Sequence, residues 1–297
     1  MMKDVLYQTL LEKGVPDSHI NEMRETLNIS KEPYQIYYDE ISEDKKTYRH
    51  VPLSKVKSLG FRGTSGLSWF DHACYNGTDN IDIGRCNKAY KHLKKQSLEE
   101  FQAYYKRSAV KLIHFEDDDF YAVYGDGTHR TLWAKVTGAP TIYAAITKAT
   151  KNDERYQTYR RFKTMEKEFN AYLKGHKLDW GEDYDGKFTD MVYQGKSIGY
   201  QILYSPRSFS SKYRFTNQRL DDWKLQQEQF KTDISKSLQS KKEFQIIMRF
   251  TPQKLKSKLL SFFDYRRDQW MFSDEGKLKF KQIGFDMFCI DQKNTTS

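Results

Sequence analysis

The sequence predicts an α+β protein, with one compact α/β unit at its centre and helix-rich segments on either side. Three observations carry that expectation. Two apolar, strand-like runs at 109–115 and 120–124 are joined by the charged turn Glu116-Asp117-Asp118-Asp119, which is the pattern of a hairpin. A turn punctuated by Gly125 and Gly127 then gives way to a helical run at 128–136, stopped by Gly138 and Pro140. Beyond residue 150, Tyr159, Phe162, Met165 and Phe169 recur at helical spacing.

From the N-terminus, residues 3–13 form a helix with Val5, Leu6, Leu10 and Leu11 on one side, and a second short helix runs from Asp17 or Ser18 to Leu27. Residues 34–38 read as a strand, and 42–46 as a polar turn that marks a boundary. Residues 48–56 form a short strand entering a turn. The stretch 60–87, rich in Gly, Ser, Asn and Asp, reads as an irregular loop or insertion. Ser97 and Glu100 make a capping box that opens a helix to Lys106. The β-branched run at 141–146 returns to the sheet. A helix at 155–173, strands at 188–193 and 198–204, a helix at 217–238, a strand at 244–250 and a helix at 252–265 complete the reading. The chain thus divides into an acidic helical extension (1–47), a central domain (48–150) and a basic α+β region (151–297).

The 297 residues carry 50 Lys and Arg against 40 Asp and Glu, a net charge of +10. The three segments hold net charges of −4, +5 and +9. That excess suits nucleic acid, small anions or an acidic protein partner. No run of about 18 apolar residues exists to span a membrane. Acids stand among the first apolar residues, unlike a secretory leader. Cys74, Cys86 and Cys289 make no even disulfide framework, so a cytoplasmic protein with reduced thiols is expected.

Chemistry concentrates in Gly125-Asp126-Gly127-Thr128-His129-Arg130. The glycines permit positive φ and let a ligand approach the backbone. Thr128 is expected as N-cap, with the amides after it unpaired and the positive end of the helix dipole behind them. His129 and Arg130 add donors, and Arg can grip two phosphate oxygens. Asp126 is expected to bind a ribose hydroxyl, hold a hydrated magnesium, or brace the turn. Asp126 and His129 are the candidate catalytic residues.

The stretch from Tyr121 to Ile142, with Val51-Pro-Leu-Ser-Lys-Val56 upstream, resembles the signature region of the ParB/sulfiredoxin-like superfamily over residues 48–148. The resemblance implies a ParB/sulfiredoxin-like central domain that binds nucleotide phosphates at Gly125, Gly127, Thr128, His129 and Arg130. It also implies a nucleoside triphosphate with Mg2+ as the cofactor, and an NTPase or kinase-like activity associated with DNA. Two departures narrow it. Sulfiredoxins carry a cysteine where Thr128 stands, which argues against sulfinic-acid reduction here. The clamp members' Glu-Asn-x-x-Arg box has only a loose echo in Asn152-Asp-Glu-Arg155.

Other constellations carry weaker signals. The acids at 116–119 are more readily solvent-exposed punctuation than a magnesium site. Asp71, His72, Cys74 and Cys86 lack the second close pair that zinc sites show. Arg62-Gly-Thr-Ser-Gly66 reads as a lid or, more simply, a surface loop. The basic-aromatic clusters at 156–163 and 262–270 offer Arg160, Arg161, Lys163, Arg266 and Arg267 to nucleic acid, although aromatics at that spacing are more often core. Two alternative functions follow: an interaction protein of a phage or mobile element that uses the fold as a scaffold to bind and inhibit a host protein, and a metal-dependent nuclease built on Asp126.

Overall fold

The computed structural model describes residues 3–41, 47–75, 78, 80–105, 107–184, 188–209, 212, 215–271 and 279–294. It divides into two compact units, Met1–Tyr156 and Gln157–Ser297. The architecture is mixed α and β, as the patterns require.

The division expected at residue 47 is not a division of the fold. Leu6 and Leu10 of helix α1 (Lys3–Glu12), and Ile20 and Met23 of α2 (Asp17–Glu25), enter the same core as Leu112, Leu132 and Trp133. Helices of about ten residues are marginal alone, so their apolar faces must be covered. The acids that set the segment apart (Asp4, Glu12, Asp17, Glu22 and Glu25) are all exposed. Charge separated the segment in the sequence; burial joins it in the structure. Val5, expected beside Leu6, stays exposed. The turn at 42–46 lies outside the described residues.

Residues 34–38 are not the expected strand. Helix α3 (Glu32–Tyr37), with Pro33 in its first turn, precedes the three-residue strand β1 (Tyr38–Glu40). The aromatic rings explain the outcome. Helical spacing brings Tyr34 against Phe115 and Phe120, with ring centroids 5.3 and 4.7 Å apart, and Tyr37 against Tyr156 at 5.0 Å.

The sheet adds β2 (Thr47–Pro52), β3 (Val56–Ser58), β4 (Val110–Phe115), β5 (Phe120–Val123) and β6 (Thr141–Lys151). Strand β6 is 11 residues long, and its two ends pair antiparallel with β2 and β1. Its other edge runs parallel to β4, β4 and β5 form the expected hairpin, and β3 lies parallel to β5.

Four further helices complete the first unit: α4 (Trp69–Ala73), α5 (Ile83–Lys95), α6 (Leu98–Tyr104) and α7 (Thr128–Val136). The Ser97–Glu100 capping box opens α6 as expected. The stretch 60–87 is more regular than expected, for it contains α4 and the first turn of α5. Ser68 and Asp82 cap these helices by accepting the N–H groups of Asp71 and Arg85. Residues 76, 77 and 79 lie outside the described set.

Helix α7 is buried from Thr131 through Val136, leaving only its first turn to meet solvent. Lys135 is 5% exposed; its ammonium donates to the Val56 carbonyl and sits 4.3 Å from the Trp69 ring centroid. Burial holds its pKa down to about 8. In the unfolded chain the group keeps its ordinary value of 10.5. The unfolded state therefore binds more protons between these values, and stability rises as pH climbs from 8 to 10.5. A Lys135→Met variant is expected to lose this alkaline gain, of order 3 kcal/mol at most. Urea denaturation at pH 7.5 and pH 10 reads it; equal slopes in both proteins would contradict the assignment.

In the second unit, α8 (Asp153–Gly175) begins before the boundary and buries Phe162, Phe169 and Leu173. Strands β7 (Leu178–Tyr184), β8 (Phe188–Tyr193) and β9 (Lys196–Ile202) form an antiparallel meander. Strand β7 carries three acids and a glycine, which hid it in the sequence. Helices α9 (Asn217–Phe250), α10 (Gln253–Met271) and α11 (Lys279–Asn294) follow. The strand expected at 244–250 is the end of α9. Buried Leu220, Trp223, Gln227, Phe230, Ile234, Ser237, Ser240, Phe244 and Met248 keep a three-and-four spacing that carries helix through that run.

Candidate anion-binding cleft

The turn between β5 and α7 is pinned to the start of β4. Tyr124 N–H donates to Lys111 O at 2.9 Å, and Lys111 N–H donates to Asp126 O at 3.0 Å. Gly125 and Gly127 adopt φ of +94° and +111°. A Cβ on Gly127 would stand 2.5 Å from Val110 Cβ, whereas on Gly125 the nearest atom is 3.9 Å away. Gly127, not Thr128, is therefore the N-cap, because only glycine fits against Val110. Thr128 is the first helical residue, and its hydroxyl reaches toward Leu59 O at 3.5 Å.

Thr131 N–H makes the first helical bond, to Gly127 O at 2.8 Å. The N–H groups of Thr128, His129 and Arg130 take no acceptor among the described residues. Their residues line a cleft of about 500 Å³, a size suited to a small-molecule ligand. Its facing wall is one side of α5. Arg85, Lys88, Ala89, His92 and Gln96, at helical intervals of three and four, all line it. Arg62 enters from a 3-10 turn (Gly60–Arg62), and Phe101, Tyr104 and Tyr105 complete the lining. Tyr104 is 60% exposed, leaving its ring open to stacking. Among the described residues the only carboxylate in the lining is that of Asp126, and the Asp82 carboxylate pairs with Arg85 at 3.5 Å. Positive charge and unpaired donors thus converge on one concavity.

Arg130 does not present a free fork to this space. It donates to Ser108 O at 3.1 Å, Ser108 Oγ at 2.7 Å and Ala109 O at 3.3 Å, and pairs with Asp126 at 2.8 Å. It is the brace of the turn, and Asp126, two-thirds exposed, is its partner. His129 Nε2 accepts the Asp82 N–H at 3.1 Å, which occupies the lone pair a general base would use. Burial, with Arg85 and Arg62 nearby, holds its pKa below the ordinary histidine value. His129 is thus neutral at pH 7, with its proton on Nδ1. The cationic side chains that sequence reasoning missed are Arg62, Arg85 and Lys88. The signal lay in Asp82 as a helix start with basic residues three apart behind it, obscured by the turn-like composition before it.

The loop after Arg62 is anchored rather than lid-like. Buried Asn28 accepts Leu59 N–H at 2.7 Å and donates to Thr64 O at 3.1 Å. Fully buried His72 accepts Thr64 N–H at 3.0 Å and donates from Nδ1 to Ser68 O at 2.7 Å. Both ring nitrogens are spent on the backbone, and burial pushes the thiols of Cys74 and Cys86 up to about 12 and about 11. His72, Cys74 and Cys86 are thus structural side chains.

The acids at 116–119 sit at the other end of the β4–β5 hairpin, about 15 Å of strand from Gly125. Asp119 binds Lys55 at 2.6 Å, Asp118 pairs with Lys151 at 3.3 Å, and Asp117 accepts the Lys151 N–H at 2.7 Å. They do not serve the cleft. In the second unit, Phe162 packs among Phe209, Phe215 and Trp223, so that cluster is core. Arg161 pairs with Asp221, Lys163 with Glu166, and Arg267 faces Asp264 and Asp286 at 3.7 Å. Arg160 and Arg266 are exposed on α8 and α10.

Comparison of the chain with protein-family models, curated proteins and solved structures gives no match.

Proposed function

We propose that the first unit binds a nucleotide through its phosphates in this cleft. The observation that carries the reading is the grouping of three unpaired amides with Arg62, Arg85 and Lys88 in one cleft lining, where Asp126 is the one carboxylate among the described residues and Asp82 stands beside Arg85 at 3.5 Å. Backbone donors of Thr128, His129 and Arg130 hold the phosphate oxygens, and the basic face of α5 neutralises their charge. Tyr104 offers an exposed ring to the base. The ParB/sulfiredoxin-like resemblance supports the same position in the chain. Mg2+ would travel with the nucleotide, held by phosphate oxygens and water, since Asp126 is already paired. His129 contributes a neutral donor, its Nε2 lone pair being taken by the Asp82 N–H. A metal-dependent nuclease finds little support in a lining with one acid.

Titration of the full chain with ATP and CTP, with and without Mg2+, tests the proposal. Arg85→Ala combined with Lys88→Ala removes two charge-assisted contacts from a solvent-facing helix side, and is expected to weaken binding about 100-fold. The Arg130→Ala change is less informative because it also frees the turn. Undetectable binding by both the wild type and the double variant would remove the idea.

A second reading rests on another observation. Ile246, Ile247 and Phe250 of α9, with Leu255, Phe262 and Tyr265 of α10, are exposed, Phe250 by 79% and Tyr265 by 70%. Apolar surface of this kind suits a protein partner, such as a host protein. For DNA, Arg161, Lys163 and Arg267 are already paired with acids. Pull-down with wild type and a Phe250→Ser, Phe262→Ser variant, beside a DNA-binding arm, separates the two partners.

A further inference from the structure

A second cavity, of about 510 Å³, shares Gly125 with the cleft. It lies on the sheet face where Lys111 and its register partner Ala145 stand side by side, with Ile146 and Thr147 beyond. The 3-10 turn at 60–62 serves both spaces: Arg62 lines the first, and Phe61, 56% exposed, lines the second.

Lys31 is the informative residue. It is 6% exposed, yet it lines this cavity. Among the described residues its ammonium makes no hydrogen bond and no ion pair; its one direct contact is the Tyr124 ring, 4.9 Å from the centroid. Tyr124 itself donates to Glu40 at 2.6 Å. Glu40 and Glu32 attract the ammonium from a distance, but burial outweighs them and holds its pKa below the ordinary lysine value. A buried ammonium without a hydrogen-bonded counter-charge is costly, and contact with a ring offsets only part of that cost. Lys111, exposed on β4, lines the same space and doubles its charge.

We infer that this second cavity is an anion site, taking a small molecule with a phosphate or carboxylate group on an apolar body. The anion pairs with Lys31 and Lys111, and the apolar body lies on Phe61 and Ala145. The inference stands on this cavity's own residues and does not rest on nucleotide binding in the cleft.

Calorimetric titration of the full chain with phenyl phosphate and with benzoate tests it and tells the two anion types apart. One-site binding of either probe is expected in the Arg85→Ala, Lys88→Ala background, which strips two cations from the neighbouring cleft, weakened at least tenfold by Lys31→Met and three- to tenfold by Lys111→Ala. Lys111 is exposed, so its variant folds even if Lys31→Met does not. Lys31→Met should bind ATP as wild type does, which keeps the two sites' outcomes separate. No binding of either probe at millimolar concentration overturns the inference, as does binding that Lys111→Ala leaves unchanged.

Discussion

Gly127→Ala is expected to cost the first unit about 3–5 kcal/mol, the sum of a left-handed backbone forced on a non-glycine residue and a methyl driven into a filled space. The added Cβ would lie 2.5 Å from Val110 Cβ, 2.6 Å from its Cγ1 and 3.2 Å from its Cα. Val110 cannot yield easily, because it is fully buried at the start of the central strand β4. Gly125→Ala is the matched control. Its backbone is also left-handed, but its Cβ enters open space, so about 1 kcal/mol is expected. Urea denaturation followed by tryptophan fluorescence measures both. Trimming the neighbour in Gly127→Ala, Val110→Ala should recover part of the packing term, since the two side chains clash directly. Equal costs for the two glycine variants would show that the turn does not press on β4.

The same contact explains which parts of the cleft were legible in the sequence. Glycine at 125 and 127 announces a special backbone, and the expected helix at 128–136 matches α7 residue for residue. The role of N-cap could not be read, because it depends on how closely Val110 approaches from 17 residues upstream. Nor could the role of Arg130. Its position promised a phosphate contact, but the Ser108 and Ala109 carbonyls lie nearer than solvent and take its donors. Local pattern gave the donors of the α7 backbone; tertiary proximity decided which cations face them.

The errors elsewhere share a physical form. Tyr34 to Tyr38 alternates like a strand, and the rings of Phe115 and Phe120 convert it to helix α3. The run Phe244-Gln-Ile-Ile-Met-Arg-Phe250 looks β-prone in isolation. Read from Leu220, the three-and-four spacing never breaks, and Gly284 of α11 allows close packing: a Cβ there would meet Ser237 O at 2.6 Å. In each case a long-range surface outvoted a window of seven residues. The hairpin, the capping box and α7 were legible because their signals are local and redundant.

Acidification from pH 7 to pH 5 is expected to weaken the first unit before its carboxylates titrate. His72 and His129 both sit below the ordinary histidine value of 6.5, and burial is the leading cause at each. The unfolded chain takes up its protons near 6.5, while the folded chain resists, so stability is complete above that value and is lost as pH falls toward the folded values. Each protonation also removes an acceptor: Nε2 of His72 from Thr64 N–H, and Nε2 of His129 from Asp82 N–H. A bond of this kind contributes about 1 kcal/mol, and leaving a donor buried without it costs more. Asp71 near His72 and Asp82 near His129 favour the charged rings, but not enough to reverse either shift. His72→Leu should therefore start about 2 kcal/mol less stable at pH 7, with Thr64 N–H left without its acceptor while Ser68 O keeps only the backbone N–H of residue 72, and then lose less than wild type on acidification. Melting temperatures of the two proteins at pH 7, 6 and 5 decide it. Parallel declines would mean that His72 does not titrate in this range, and that the anchoring of the loop behind Arg62 is indifferent to acid.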